Sequence, residues 1–374
     1  MKNDISIKRD TNMDIIRCFA LLAVVAVHFF LNSGFYDKAV IGKRMYVAVL
    51  LRTALMVCVP LFMVLSGYLM RNKKLGRKYY SKIGYTLTIY VLSSILCFGV
   101  NAWLFDGEWN FRKLIEGILD FSAAPYSWYI EMYIGLFLMI PFLNILYNGI
   151  PTKKWKILLI IILCGLTALG GVTNVYNFEV EKWWQTPHIA TQYQKLIPYW
   201  WNNIYPITYY FIGCFLNEYG FAMKKRVAAP LLLLSILLFG TYNYWRSYGV
   251  EFIWGIWQNY SSLFTLILTV LTFGFLMNLK RKERKPWTDK IWETLSGLCL
   301  GAYLVSWIFD SIIYTHLKAM VPKITDRFVY FVPIVLSVYV CSLMLAWLIN
   351  KSYFLSVKGM KILLQRIKRE KIKV

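Results

Sequence analysis

A chain of 374 residues that is 58% hydrophobic and 18% aromatic, with a mean hydropathy of +0.50, is too apolar for a soluble globular protein and reads as a polytopic membrane protein. Its 42 Lys and Arg against 19 Asp and Glu leave a net charge of +23. The cations are sorted between alternate loops, which makes them topology and lipid-headgroup charge and excludes a nucleic-acid partner.

Ten apolar runs approach the roughly 20 residues that a membrane-crossing helix needs. They are 14–33, 46–70, 80–104, 127–148, 155–171, 203–219, 227–245, 256–279, 296–314 and 328–350. The expected fold class is all-α, with about ten transmembrane helices in a domain over 1–350 and a basic tail over 351–374.

The first run, inside "DIIRCFALLAVVAVH", carries Asp14 and Arg17 at its start and His28 three turns deeper. Ionisable groups are costly in hydrocarbon and usually functional where they occur. At about 100° per residue, Arg17 and His28 fall within about 20° of one line, with Asp14 about 60° away. A rise of about 1.5 Å per residue puts His28 some 16 Å beyond Arg17. One stripe thus joins an interface to the membrane interior. Imidazole exchanges a proton near neutral pH, so His28 suits a general base. Arg17 has a second reading, snorkelling to headgroups with Asp14 as its partner. Without a small-residue cleavage site, the run is expected to be retained rather than removed as a signal peptide.

The second run holds Arg52 and ends on Ser66, Gly67 and Tyr68, small residues that permit close helix approach. Lys73, Lys74, Arg77, Lys78 and Lys82 lead into the third run. The fourth opens with Trp128 and Glu131, a carboxylate placed to hold a sugar hydroxyl, to orient His28 or to face the wet interface. Tyr303, Ser306 and Asp310 share one face of the ninth run, turned to a cavity or a partner helix. Arg52 can pair with either Glu131 or Asp310. The seven cysteines lack zinc-ligand spacing, and His188 and His316 have no ligand neighbours, so no metal site is expected.

Alternate loops carry 29 and 11 of the cations, Arg17 and Arg52 lying within runs. The positive-inside rule then puts both termini in the cytoplasm. Loops 105–126 and 172–202 are external and aromatic-rich, suited to interface anchoring or sugar stacking. The tail "VKGMKILLQRIKREKIKV" is a basic amphipathic stretch expected on the anionic inner leaflet.

Four segments in order resemble one family. R-x10-H, written from Arg17 to His28 within "RDTNMDIIRCFALLAVVAVH", is similar to the signature of the acyltransferase-3 membrane proteins. "VPLFMVLSGYLM" (59–70), "YSWYIEMYIGLFLMIPFLN" (126–144) and "GAYLVSWIFD" (301–310) resemble that family's later segments. The resemblance covers essentially the whole chain. It implies a multi-pass enzyme of the plasma (cytoplasmic) membrane, of bacterial type, that transfers an acyl group. The acyl group is usually acetyl from acetyl-CoA, and the acceptor is a hydroxyl of a cell-surface polysaccharide or lipid-linked glycan. The family's functional pair carries over to Arg17 and His28, with Asp14 beside them. Ser306 departs from the histidine that many members have there, and 71–87 lacks two well-spaced arginines.

Under that resemblance, Ser66 and Tyr68 line the donor tunnel. The cations before the third run face the 3′-phosphate and pyrophosphate of acyl-CoA, with Lys78 and Lys82, one helical turn apart, as the preferred pair; ordinary topology charge is the alternative. Trp128, Glu131, Tyr303, Ser306 and Asp310 are the acceptor-side candidates. The rival reading is a transporter or flippase for a glycan, lipid or metabolite, running a proton relay along the same stripe.

Overall fold

A computed structural model describes residues 9–105, 107–185, 187–188, 194–279 and 285–371, with side chains through 355. Lys2, Lys8, the cations at 280–284 and the tail's side chains from 356, all counted in the charge split, lie outside the described residues. Every regular element among the described residues is helical. The principal helices are α1 (Thr11–Asn32), α2 (Gly42–Leu55), α3 (Cys58–Met70), α4 (Ile83–Leu104), α5 (Phe111–Leu119) and α6 (Trp128–Gly149). They continue as α7 (Lys153–Cys164), α8 (Tyr205–Tyr219), α9 (Lys225–Arg246), α10 (Leu263–Met277), α11 (Pro286–Met320) and α12 (Phe331–Lys371).

Among the described residues, nine helical segments are long and apolar enough to cross a membrane. The expected sixth span, 203–219, is not among the nine; it coincides with α8, which has 15 residues. A 3₁₀ turn over Trp200–Ile204 precedes it, and the two together reach about 32 Å. The expected second span, by contrast, is two helices. α2 stops at Leu55 and α3 starts at Cys58 because Pro60 has no N–H to offer residue 56 and its ring crowds that carbonyl. The expected fifth span carries a π turn over Gly165–Leu169 before continuing through Gly170–Thr173.

α1 lies inside the bundle, against α2, α3, α10, α11 and α12. Asp10 caps its start, accepting from the Asn12 N–H at 3.0 Å. At its end, Arg327 donates to the Ser33 carbonyl at 2.8 Å, and Gly34 turns the chain with φ +84°. α3 and α8 approach through two glycines. A methyl on Gly67 would sit 1.9 Å from the Tyr210 carbonyl oxygen, and one on Gly213 2.0 Å from that of Val64. The outward faces of α6, α9 and α12 are apolar, with Ile145, Leu233 and Met344 exposed, as lipid contact requires. α12 runs without interruption through position 350, so its backbone carries the tail as one helix with the last span.

Candidate active site

His28 stands on the last full turn of α1, where its ring meets that of Tyr126 at 3.8 Å between centroids. Its Nδ1 is buried and lies 3.4 Å from Oδ2 of Asp310, on α11, with no hydrogen bond formed. The separation is an ion-pair distance for a protonated ring; for a neutral ring it orients Nδ1 toward the carboxylate and leaves Nε2 to meet a substrate. The same Oδ2 accepts the Tyr126 hydroxyl at 3.0 Å. Asn32 donates to the Tyr126 hydroxyl oxygen at 3.1 Å and to the His28 carbonyl at 2.9 Å. The Tyr303 hydroxyl, also from α11, donates to the Tyr126 main-chain carbonyl. α11 therefore grips Tyr126 at both ends, and Tyr126 in turn fixes the imidazole face. Asp310 is 1% exposed, so its carboxylate has almost no water to solvate it.

A cavity of about 370 Å³ runs between α1, α3, α4, α6 and α11 toward this cluster. Its walls are largely apolar. Arg17 lines it and donates from Nη1 to Ser296 Oγ at 2.7 Å. Val24, Ile130 and Tyr303 line it too, and Val24 precedes His28 by one helical turn. Arg17 is thus turned to an internal cavity, which disfavours the snorkelling reading. Of the stripe read from 100° spacing, Arg17 lines this cavity, whereas Asp14 and His28 do not.

The other expected site residues fall in different places. Asp14 does not partner Arg17: Arg9 takes both of its carboxylate oxygens, at 2.8 and 2.7 Å, and also reaches Glu293 at 3.0 Å, tying the starts of α1 and α11 together. Ser66 lines the cavity, its hydroxyl donating to the Phe62 carbonyl at 2.8 Å. Tyr68, two residues on and so on the opposite face of that helix, packs its ring 5.9 Å from that of Phe273. Lys78 and Lys82 are exposed, and they do not share one continuous helix. A short turn over Arg77–Tyr80 ends before α4 because Tyr79 is pinned to α6, its hydroxyl on the Phe137 carbonyl at 2.6 Å and its ring stacked on Phe137 at 4.5 Å. Both lysines nevertheless lie in the segment between Met70 and Tyr85, which line the cavity.

On the far side of the cluster, Trp128 is 41% exposed and stacks on Tyr260 at 5.8 Å. Glu131 is exposed and does not line the cavity. Ser306 is buried, and its hydroxyl donates to the Tyr303 carbonyl one turn back at 2.9 Å, so it does not reach His28. Arg52 pairs with neither carboxylate. Its Nε donates to the Tyr36 hydroxyl and its Nη1 to Gln258 Oε1, each at 2.7 Å. Among the described residues, no group of three His, Cys, Asp or Glu side chains is placed to hold a metal ion.

Three residues of the cluster were not singled out in the sequence. Asn32 was within reach of the helical argument, being one turn beyond His28 on the same stripe. Tyr126 opens the segment that resembles the family but stands before the helix itself. Ser296 has no sequence signal, since nothing but the packing of α1 on α11 brings it to Arg17. The family model described as an acyltransferase domain matches residues 10–349, nearly the whole chain. No curated protein and no solved structure matches it.

Proposed function

The chain belongs to the acyltransferase-3 family and is a membrane acyltransferase; we propose that it moves an acetyl group from acetyl-CoA to a hydroxyl of a cell-surface polysaccharide or a lipid-linked glycan, in the plasma membrane of a bacterium. The observation that carries this reading is the cavity that begins beside Arg17 and ends one turn from the His28–Asp310–Tyr126 cluster. Its narrow, mostly apolar walls suit the acyl-pantetheine arm of the donor, and its volume lies in the range of small-ligand sites, about 300–1,000 Å³. Arg17 offers the buried cation for a carbonyl or phosphate of the donor. Lys78 and Lys82, on the solvent side of the same mouth, offer charge to the nucleotide phosphates.

Acyl-CoA supplies the activated thioester. His28 accepts the proton of the acceptor hydroxyl at Nε2 as that oxygen bonds to the acyl carbon, and returns it to the departing thiolate sulfur. Asp310 acts through His28, holding Nδ1 and balancing the imidazolium charge as it forms. Tyr126 and Asn32 keep that pair in register. The donor arrives from the cytoplasmic side, where the positive-inside rule puts the start of α1, and the acceptor from the side of Trp128.

The test is a comparison of cell-surface glycan from strains with the gene intact and deleted, by mass spectrometry, paired with transfer from labelled acetyl-CoA by the purified protein. An acetyl increment lost on deletion supports the reading. Unchanged glycan together with no transfer in vitro overturns it.

A further inference from the structure

Arg52 is a buried charge that acyl transfer, as described, does not use. It is fully buried in α2, and the break at Met56 and Val57 follows it by one turn. Tyr36 and Gln258 take its Nε and Nη1 protons. Its guanidinium carbon sits 4.4 Å from the Phe252 ring centroid, 4.5 Å from that of Trp254 and 5.6 Å from that of Tyr36. Aromatic faces offset part of the cost of burying a cation. They do not replace a counter-ion, and no carboxylate among the described residues lies within ion-pair distance of this arginine. Its Nη2 is buried with no hydrogen-bond partner. A planar fork with one arm unsatisfied and its charge uncompensated is the arrangement that binds a carboxylate or phosphate.

The surroundings say what kind of molecule brings the anion. Trp254, which covers the guanidinium, is 54% exposed and packs its ring, tilted, 4.7 Å from that of Tyr36, so Arg52 is one aromatic ring beneath the surface. Tyr36 belongs to the turn that follows α1, four residues past Asn32 of the catalytic cluster. Across the helix break, Cys58 contacts the Tyr260 hydroxyl at 3.7 Å, and Tyr260 stacks on the half-exposed Trp128. Two exposed indoles, Trp254 over Arg52 itself and Trp128 across the helix break, suit sugar rings, and the cation beneath Trp254 suits rings that carry negative charge. Gln258 is held in place from behind, its side-chain amide donating to the Ile253 carbonyl.

We propose that Arg52 is the receptor for an oxyanion on the acceptor, beneath Trp254, and that the acceptor is therefore an anionic glycan. This rests on the acyl-transfer reading for the identity of the ligand, though the anion site itself does not. The test is thermal unfolding of the purified protein in an uncharged detergent, at constant ionic strength, with glucuronate, glucose 1-phosphate or glucose added, and separately with phosphatidylglycerol in the micelles. Binding to the folded state raises the midpoint.

A rise with either charged sugar and none with glucose is expected. Trp254→Ala, a change at an exposed ring, should weaken that response about tenfold. Gln258→Glu supplies an internal counter-ion, and should raise the midpoint without ligand and erase the response. Equal midpoints in glucuronate, glucose 1-phosphate and glucose overturn the proposal, as does a Gln258→Glu protein that still responds. A rise with phosphatidylglycerol alone assigns the site to a lipid headgroup and overturns the acceptor assignment. A response to charged sugars in a protein that transfers no acetyl group would leave the anion site standing and remove the transfer reading instead.

Discussion

Asp310 Oδ2 lies 3.4 Å from His28 Nδ1 and accepts the Tyr126 hydroxyl at 3.0 Å, so one buried oxygen faces both the imidazole and the ring packed against it. In the proposed transfer, a carboxylate in that position acts as a positioning group for the histidine. Asp310→Asn keeps the shape and removes the charge, and should lower the transfer rate by on the order of 10²- to 10⁴-fold while leaving acyl-CoA binding unchanged. Tyr126→Phe removes two hydrogen bonds, to Asp310 and from Asn32, of about 1 kcal/mol each, and should cost up to roughly thirtyfold. Single-turnover transfer measured beside donor affinity separates the two effects. Equal loss of donor binding would make Asp310 a structural residue.

His28→Ala should reduce transfer by about 10²- to 10⁴-fold in a protein that still inserts, because the apolar replacement removes the proton acceptor and little else. An active His28→Ala protein would turn the cluster into a transport relay and favour the transporter reading.

Arg17→Lys asks a separate question. Arg17 lines the cavity and holds Ser296 at 2.7 Å, so lysine keeps the charge and loses the planar fork. A fall in donor affinity of about tenfold or more is expected by isothermal titration. A silent substitution would return Arg17 to a headgroup contact.

What the sequence makes legible here is what repeats along a helix. The alignment of Arg17 and His28 along α1 follows from 3.6-residue periodicity, and that of Tyr303 and Asp310 from the same rule on α11. Contacts between distant helices have no such signal: His28 and Asp310 are 282 positions apart, and Ser296 reaches Arg17 only through packing. Local competition also hides from periodicity. Asp14 has a neighbour, Arg9, whose fork satisfies both carboxylate oxygens before Arg17 can. Pro60 splits a run that hydropathy reads as one span. Tyr79, by anchoring to α6, breaks the helix on which Lys78 and Lys82 would have been aligned.

Lys78 and Lys82 are exposed in the segment between the cavity-lining Met70 and Tyr85, where each charge is screened by water and salt. Replacing both with Ala should raise the KM for acyl-CoA by about tenfold at low ionic strength, with kcat little changed, and the difference should shrink as salt is added. A KM that is insensitive to the double substitution at low salt would leave these lysines as topology charge.

The charge split between alternate loops predicts sidedness. Tags at positions 2 and 374 should both be protected in sealed right-side-out vesicles, and a cysteine placed at Arg112 should react with an impermeant maleimide from outside. Labelling of either terminus from outside would reverse the donor and acceptor faces.

The tightest backbone approach at a described glycine gives the last prediction. Gly67 on α3 and Gly213 on α8 face each other so tightly that an added methyl would stand 1.9 Å or 2.0 Å from a carbonyl oxygen of the opposite helix. Those oxygens belong to Tyr210 and Val64, main-chain atoms inside helices, and cannot swing aside as a flexible side chain would. The two helices must separate, opening voids among buried neighbours such as Leu65, Cys214 and Leu216. Overpacking of this kind costs typically 1–3 kcal/mol, and more where backbone must move. α3 also carries Ser66 on the cavity wall, so displacement of the helix reshapes the cavity proposed for the donor. Gly67→Ala should therefore lower the unfolding midpoint in detergent and weaken acyl-CoA binding together, although position 67 does not itself line the cavity. Gly135→Ala, at a glycine whose added methyl meets nothing within 4 Å, should leave both unchanged. Equal midpoints for the two variants would show that α3 and α8 are not in contact as described.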